Sequence, residues 1–177
     1  MKVKRVVVGD LKTNCYIINN CGHVLVIDPG SDSKRIMKEI GNNLVDGVII
    51  THHHFDHIGA LDDILSKYKC GMYDKNNLDE GNNKIGEFNF QIIYTPGHKE
   101  DLITVYFKEI KTMFVGDFIF KDDIGRCDLP GGNISDMVKS IDKIKKYPKD
   151  VLIYPGHGEN TTLGYEINNN PYFNNYL

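Results

Sequence analysis

Short apolar runs alternate with compact polar intervals along the 177 residues, and the period of the pattern switches several times. "KRVVVG", "NCYIIN" and "HVLVIDPG" are β-rich runs of single-strand length, and "NNCG" between the last two is a turn signal. In "SDSKRIMKEIG", Ile36, Met37 and Ile40 fall at helical spacing, with a serine or aspartate placed to cap the helix and a glycine to close it. The strand "DGVIIT" follows, and then a helix over "HIGALDDILSKY". The second half repeats the style, with strands at "FNFQIIYTPGH", "LITVYF" and "TMFVGDFIF". A glycine-rich loop, "DDIGRCDLPGGN", leads to the helix "SDMVKSIDKIKKY", capped by its opening serine. The strand "DVLIYPGHG" and a short helix near "TTLGYEI" complete the pattern. The stretch "DKNNLDEGNNK", residues 74–84, reads as a polar linker near the middle. Two β-rich halves, each carrying helices, predict an α/β chain folded as a four-layer αβ/βα sandwich, in one domain over residues 1–177.

Composition narrows the class without naming a chemistry. A content of 41% hydrophobic and 25% charged residues is that of an ordinary globular protein. The formal net charge of -3 argues against a broad electrostatic footprint for nucleic acid. The three-valine stretch in "MKVKRVVVGDLKTN" is too short for a signal peptide's apolar core, and no run approaches the roughly 18 apolar residues of a membrane span. A cytoplasmic protein with no membrane partner is expected. Cys15, Cys21, Cys70 and Cys127 form neither a CxxC pair nor a dense framework, so reduced thiols are expected rather than disulfides.

The chemistry is concentrated in "ITHHHFDHIGALDDI", where four histidines and an aspartate fall between positions 52 and 57. If "THHHF" is extended, alternate side chains share a face, so His52 and His54 point together and His53 points away. Asp56 then stands where a helix cap would be, and His57 starts the helix. Helix capping alone would explain one polar residue here, not four imidazoles around a carboxylate, and the internal position excludes an expression tag. Such a grouping can bracket a pair of metal ions, with imidazoles suited to zinc or iron and the carboxylate supplying a hard oxygen. Three further ligand-type residues share one context: His98 follows "IIYTPG", Asp117 follows "TMFVG" and His157 follows "VLIYPG". Each lies just after an apolar β-run with glycine immediately before it, where glycine permits a positive φ or close backbone approach. Four strand ends thus each present metal-ligand chemistry.

Together, "THHHFDHIG", "TPGH", "FVGDFIF" and "YPGHGENTT" resemble the metallo-β-lactamase superfamily, whose hallmark is H-x-H-x-D-H followed by later His, Asp and His ligands. The resemblance runs from "NCYII" and "VIDPG" nearly to the end, and the loop "GRCDLPGGN" with "TTLGYEINNNPYF" is similar to the short glyoxalase II-like hydrolases. It implies two mixed β-sheets flanked by helices. It also implies two divalent metal ions, zinc with iron or manganese as alternatives. By matching position, His52, His54 and His98 would hold the first, Asp56, His57 and His157 the second, and Asp117 would bridge. The implied reaction is hydrolysis of a small anionic thioester, such as S-lactoylglutathione or a related acyl-thiol, through a metal-bridging hydroxide. Asp56 would also hold the nucleophile's remaining proton.

The sequence departs from that family pattern at "KEDL" after His98, where a hydroxylic residue and glycine are usual, and at Phe118 and Glu159. Phe118 is expected to pack in the core. Full-length glyoxalase II proteins resemble this domain plus a helical domain that supplies glutathione contacts, so glutathione recognition does not carry over. Arg126 is the candidate contact for an anionic substrate, with an ion pair to Asp128 or a neighbour as the structural alternative. Cys127 reads as a small loop residue. Competing readings are a mononuclear iron persulfide dioxygenase of the same superfamily, using His52, His98 and Asp117, and a non-catalytic metal-binding module. A structural zinc, however, needs only four ligands.

Overall fold

The computed structural model describes residues 1–174. The chain opens with β1 (Lys2–Val8), β2 (Thr13–Asn20) and β3 (His23–Ile27), an antiparallel meander with the expected turn at residues 21–22. Helix α1 (Ser33–Ile40) crosses over to β4 (Leu44–Ile49), which runs parallel to β3. The short α2 (Phe55–Ile58) and α3 (Leu61–Tyr68) lead to β5 (Gly71–Tyr73), parallel to β4. The second sheet begins with β6 (Gly81–Ile85), β7 (Phe88–Tyr94), β8 (Ile103–Phe107) and β9 (Thr112–Gly116), all antiparallel neighbours. A small hairpin of β10 (Ile119–Phe120) and β11 (Asp123–Ile124) precedes α4 (Ile134–Ile144). Strand β12 (Leu152–Pro155) pairs parallel to β9, β13 (Thr161–Thr162) closes that edge, and α5 (Leu163–Asn169) follows. The sheet orders are β1-β2-β3-β4-β5 and β13-β12-β9-β8-β7-β6, so both sheets are mixed, as expected.

Three apolar layers hold four structural layers together. Ile36 and Ile40 of α1 and Ile64 of α3 pack with Val24, Val26 and Val48 on the outer face of the first sheet. Tyr16, Ile18, Leu25 and Ile27 meet Phe88, Phe107 and Phe114 between the sheets, which gives the two halves of the chain one shared core. Met137, Ile141 and Ile144 of α4 and Leu163 of α5 cover the far face of the second sheet with Val115, Phe118 and Ile153. Alternation of inward residues along β2 and β3 between the outer and the central layer is the direct result of the period of two.

Four local expectations are corrected. The helix over "HIGALDDILSKY" is two helices, because the Ala60 N–H leaves the helical ladder to donate to Pro29 O at 2.9 Å. Asp56 is not the cap of α2: His54 holds the N-cap position, and Asp56 lies in the first turn with its Oδ2 accepting from the Thr13 hydroxyl at 2.8 Å. Helix α4 is capped by Asn133 rather than by Ser135; its side-chain oxygen accepts from the Asp136 N–H at 3.2 Å while its own N–H donates to Gly97 O at 2.7 Å. Within residues 74–84, Gly81–Ile85 is strand rather than linker, a polar edge strand paired only with β7.

The cap assignment makes a discriminating prediction. Asn133→Ala should lower stability by about 1 kcal/mol in chemical denaturation, while Ser135→Ala, an exposed first-turn change, should stay within about 0.5 kcal/mol. A larger loss for Ser135→Ala would return the cap to the serine.

Candidate metal centre

Parallel pairing puts the carboxyl ends of strands from both sheets at one edge. Strand β7 is antiparallel to β8, β8 to β9, and β9 is parallel to β12, so β7, β9 and β12 all end on the same side. His98, Asp117 and His157 follow those three ends, and the histidine cluster follows β4. This is the crevice outside the carboxyl ends of strands where open α/β sheets place their ligands. Glycine is required just before each of these residues, as Gly116 and Gly156 illustrate. Gly116 has φ +52 with Thr51 Oγ1 lying 2.4 Å from where a Cβ would stand, and a Cβ on Gly156 would meet Asp117 Oδ1 at 2.1 Å.

The structure brings all seven predicted ligand residues together, six of them in two trios and Asp117 between these. His54 Nδ1 lies 3.1 Å from His52 Nε2 and 2.8 Å from His98 Nε2. In the second trio, Asp56 Oδ2 lies 3.2 Å from His157 Nε2 and 3.5 Å from His57 Nε2. Asp117 stands between them, with Oδ1 at 3.4 Å from His57 Nε2 and Oδ2 at 3.7 Å from His98 Nε2 and 3.5 Å from His157 Nε2. His53 faces away, as alternation predicted. Its ring lies against Asp101 Oδ2 at 2.7 Å and Asp74 Oδ2 at 3.2 Å.

The outer ring nitrogens decide which inner nitrogens carry lone pairs. His57 Nδ1 donates to Asp28 Oδ2 at 2.9 Å, His98 Nδ1 to Arg126 O at 2.7 Å and His157 Nδ1 to Leu11 O at 3.0 Å. The Thr51 hydroxyl gives its proton to Asp28 Oδ2 at 2.6 Å and so accepts from His52 Nδ1 at 3.1 Å. Each of these four imidazoles is thereby oriented with Nε2 toward the centre, the arrangement in which outer hydrogen bonds raise ligand basicity. Asp28, Thr13 and Thr51 are functional neighbours that the sequence reading did not single out. The signal for Asp28 was present: an Asp-Pro-Gly immediately after a fully buried strand end.

The donor set fits divalent cations. Among the described residues, His57 Nε2 and Asp117 Oδ1 are buried without any hydrogen-bond partner. Orphaned buried polar atoms facing one another are costly unless something charged satisfies both. The protonation preferences differ between the trios. Burial pushes His52 well below the usual histidine range, helped by the nearby His57, and burial with His98 also lowers His54. For His57, burial pushes down but the Asp28 carboxylate and Asp117 outweigh it and lift it to about 10. His157 rises to about 9 because Asp117 and Asp56 outweigh its burial. Burial opposes ionisation of Asp56 and Asp117, yet the hydrogen bond from His157 and the charge on His57 prevail, holding Asp56 at about 2 and Asp117 well below the usual carboxylate range.

The remaining candidates sort themselves. The Arg126 guanidinium pairs in bidentate fashion with Asp128, Nε to Oδ1 at 2.7 Å and Nη2 to Oδ2 at 2.8 Å, while both side chains are exposed. Its backbone, not its side chain, touches the centre. Phe118 is fully buried in the core beneath α4, and Glu159 is an exposed partner of Lys121. Burial and the adjacent Asp128 push the Cys127 thiol up, away from thiolate character.

Comparison with known proteins gives the same picture. The family description "Metallo-beta-lactamase superfamily" matches residues 8–73 and 74–157. The chain is 31% identical to the "Probable metallo-hydrolase YqgX" of Bacillus subtilis (strain 168), over 99% of each chain. It is 29% identical to the "Hydroxyacylglutathione hydrolase GloC" of Haemophilus influenzae, over 98% of this chain and 99% of that protein. Among solved structures, the BLEG-1 B3 metallo-beta-lactamase superposes with a TM-score of 0.94 at 27% identity, covering 98% of this chain and 100% of that one. Among the described residues, no helix is long and apolar enough to cross a membrane.

Two predictions follow from the geometry. His54→Ala should lose the first trio's metal and lower bound metal to about one ion per chain, while His53→Ala keeps the full stoichiometry at saturating metal; mass spectrometry of the two proteins separates them. Because the proton-rich second trio must shed protons to coordinate, filling it near pH 7 should release about two protons per chain. Calorimetric titration in buffers of different ionisation heat measures that number, and a value near zero would contradict the raised His57 and His157.

Proposed function

We propose a hydrolytic function for this chain, which belongs to the metallo-beta-lactamase superfamily: cleavage of a small anionic thioester, S-lactoylglutathione or a related acyl-thiol. The observation that carries this reading is the seven-residue donor set, with Asp117 between two trios. That is more ligand chemistry than the four positions of a structural zinc, and it matches the needs of a centre that keeps positions open for reactants. Similarity over almost the whole chain to a protein named hydroxyacylglutathione hydrolase supports the choice of a thioester.

Two divalent ions in the trios, zinc or alternatively iron or manganese, would supply Lewis-acid activation of a water and of the substrate carbonyl at neutral pH. The chain's own residues do the positioning. Asp56 is anionic across the neutral range, and Thr13 fixes its Oδ2. In this reading Asp56 holds the remaining proton of the attacking water and so aims the oxygen at the carbonyl carbon. One proton of the water is lost to solvent on activation; the C–O bond then forms, the C–S bond breaks, and the remaining proton leaves with the thiol, giving a carboxylate product. Arg126 sits at the rim on the segment whose carbonyl oxygen holds His98, and its exposed pair with Asp128 is easily exchanged for a substrate carboxylate. Cys127 takes no part as a nucleophile. The substrate is a small molecule of the cytoplasm, and neither nucleic acid nor a membrane enters the scheme.

The B3 metallo-beta-lactamase with the same fold makes β-lactam hydrolysis the second reading to test alongside it. Protein purified anaerobically should be analysed for metals and assayed on S-lactoylglutathione, a neutral acyl thioester, a β-lactam and, with oxygen uptake, glutathione persulfide. About two ions per chain with thioester cleavage is expected, and Arg126→Ala should raise KM for the anionic ester several-fold more than for the neutral one. One iron per chain with oxygen uptake and no thioester cleavage would replace the hydrolase by a dioxygenase; turnover of the β-lactam alone would replace the thioester.

A further inference from the structure

The segment "KED" after His98, where the sequence leaves the family pattern, has a specific structural consequence. Asp101 Oδ2 accepts the backbone N–H of His53 at 3.1 Å and the His53 ring Nδ1–H at 2.7 Å, while Oδ1 accepts from Lys99 Nζ at 3.1 Å. The far side of the His53 ring lies 3.2 Å from Asp74 Oδ2, and Asp74 is itself almost fully buried and holds the turn after β5 through the Asn76 N–H at 2.8 Å. Asp101 is therefore tied to the peptide between His52 and His54, and it lies three residues beyond His98. One carboxylate links the two strand-end loops that carry the whole first trio. Among the described contacts, Asp56, His57, His157 and their supporting bonds to Thr13, Asp28 and Leu11 make no use of it.

We propose that Asp101 is a positioning residue for the first metal site, setting the spacing of His52, His54 and His98 through its two bonds to His53. The bond to the His53 N–H fixes the peptide plane between two ligands, and the ring's bond to Asp101, with Asp74 packed against its far side, stops that plane from rotating. Ring nitrogens that must converge on one ion tolerate little displacement, so loosening this peptide weakens the first trio while leaving the second in place. The Ile103 N–H to Thr51 O bond at 3.0 Å also joins the two loops, and it keeps them adjacent when the carboxylate is removed. The expected defect is thus in metal affinity rather than in folding.

The test is a titration of the full chain with cobalt(II) against a competing chelator, read by its absorption bands. His54→Ala identifies the step belonging to the first trio and His157→Ala the step belonging to the second. Asp101→Ala should weaken the first-trio step by about 10- to 100-fold, with the second within about threefold and the thermal midpoint of the metal-free protein close to the parent's. Asp101→Asn, which keeps an acceptor for the His53 N–H, should shift the same step by a smaller factor. Equal weakening of both steps, or no change in the first, overturns the assignment. If Asp101→Ala does not fold, the asparagine variant decides alone: a shift confined to the first-trio step supports the role, and its absence or a shift of both steps rejects it.

Discussion

The centre depends on one buried carboxylate. Asp28 leaves the end of β3 in a left-handed backbone conformation, φ +50, and turns its side chain under the histidine loop. Its Oδ1 accepts the Thr51 N–H at 2.7 Å, and its Oδ2 accepts the Thr51 hydroxyl at 2.6 Å and His57 Nδ1 at 2.9 Å. With that residue removed, three donors would be left unsatisfied in a site without water access, at about 1–3 kcal/mol each. A left-handed backbone at a residue other than glycine persists only where its surroundings over-determine it. Here they do. The same carboxylate fixes His57 directly and His52 through Thr51, so one anion aligns ligands of both trios.

That anion is also one of the carboxylates that make the two trios differ electrically. The first consists of three imidazoles, and burial holds two of them, His52 and His54, below the usual histidine range. The second contains Asp56 beside His57 and His157, with Asp28 and Asp117 close by, and those carboxylates make protonated imidazoles favourable. A cation entering the second trio competes with the protons on His57 and His157, whereas His52 and His54 in the first are disposed to be neutral. Asp117 touches both environments, and it couples the filling of one site to the charge of the other.

Much of this was legible in the sequence, for identifiable reasons. The ligands could be read because metal chemistry restricts residue type so strongly: His, Asp and a preceding glycine recur at three separate strand ends. The facing of His52 and His54 away from His53 follows from the period of two alone. The supporting residues were not legible, because their roles depend on contacts between distant segments. Thr13 and Asp56 are 43 positions apart, and His53 and Asp101 are 48 apart; an aspartate in "KEDL" looks like any surface charge until the fold brings it under a loop. Strand β6 was hidden for the opposite reason. An edge strand paired on one side only can be polar throughout, and "GNNKI" carries no apolar alternation to betray it.

Arg126 shows how the fold separates what must stay fixed from what is free to differ. Its carbonyl oxygen holds the His98 ring, and a main-chain acceptor imposes no choice of side chain. Its guanidinium points out into solvent, bound only to a neighbour two positions along. Leu11 has the same division: its carbonyl oxygen orients His157 while its side chain lies largely exposed. At both places the metal geometry is secured by backbone, so the side chains beside the reacting centre can change without disturbing the ions. Substrate choice in such a site is then carried by residues that contribute little to stability, and a shared ligand set leaves the substrate open.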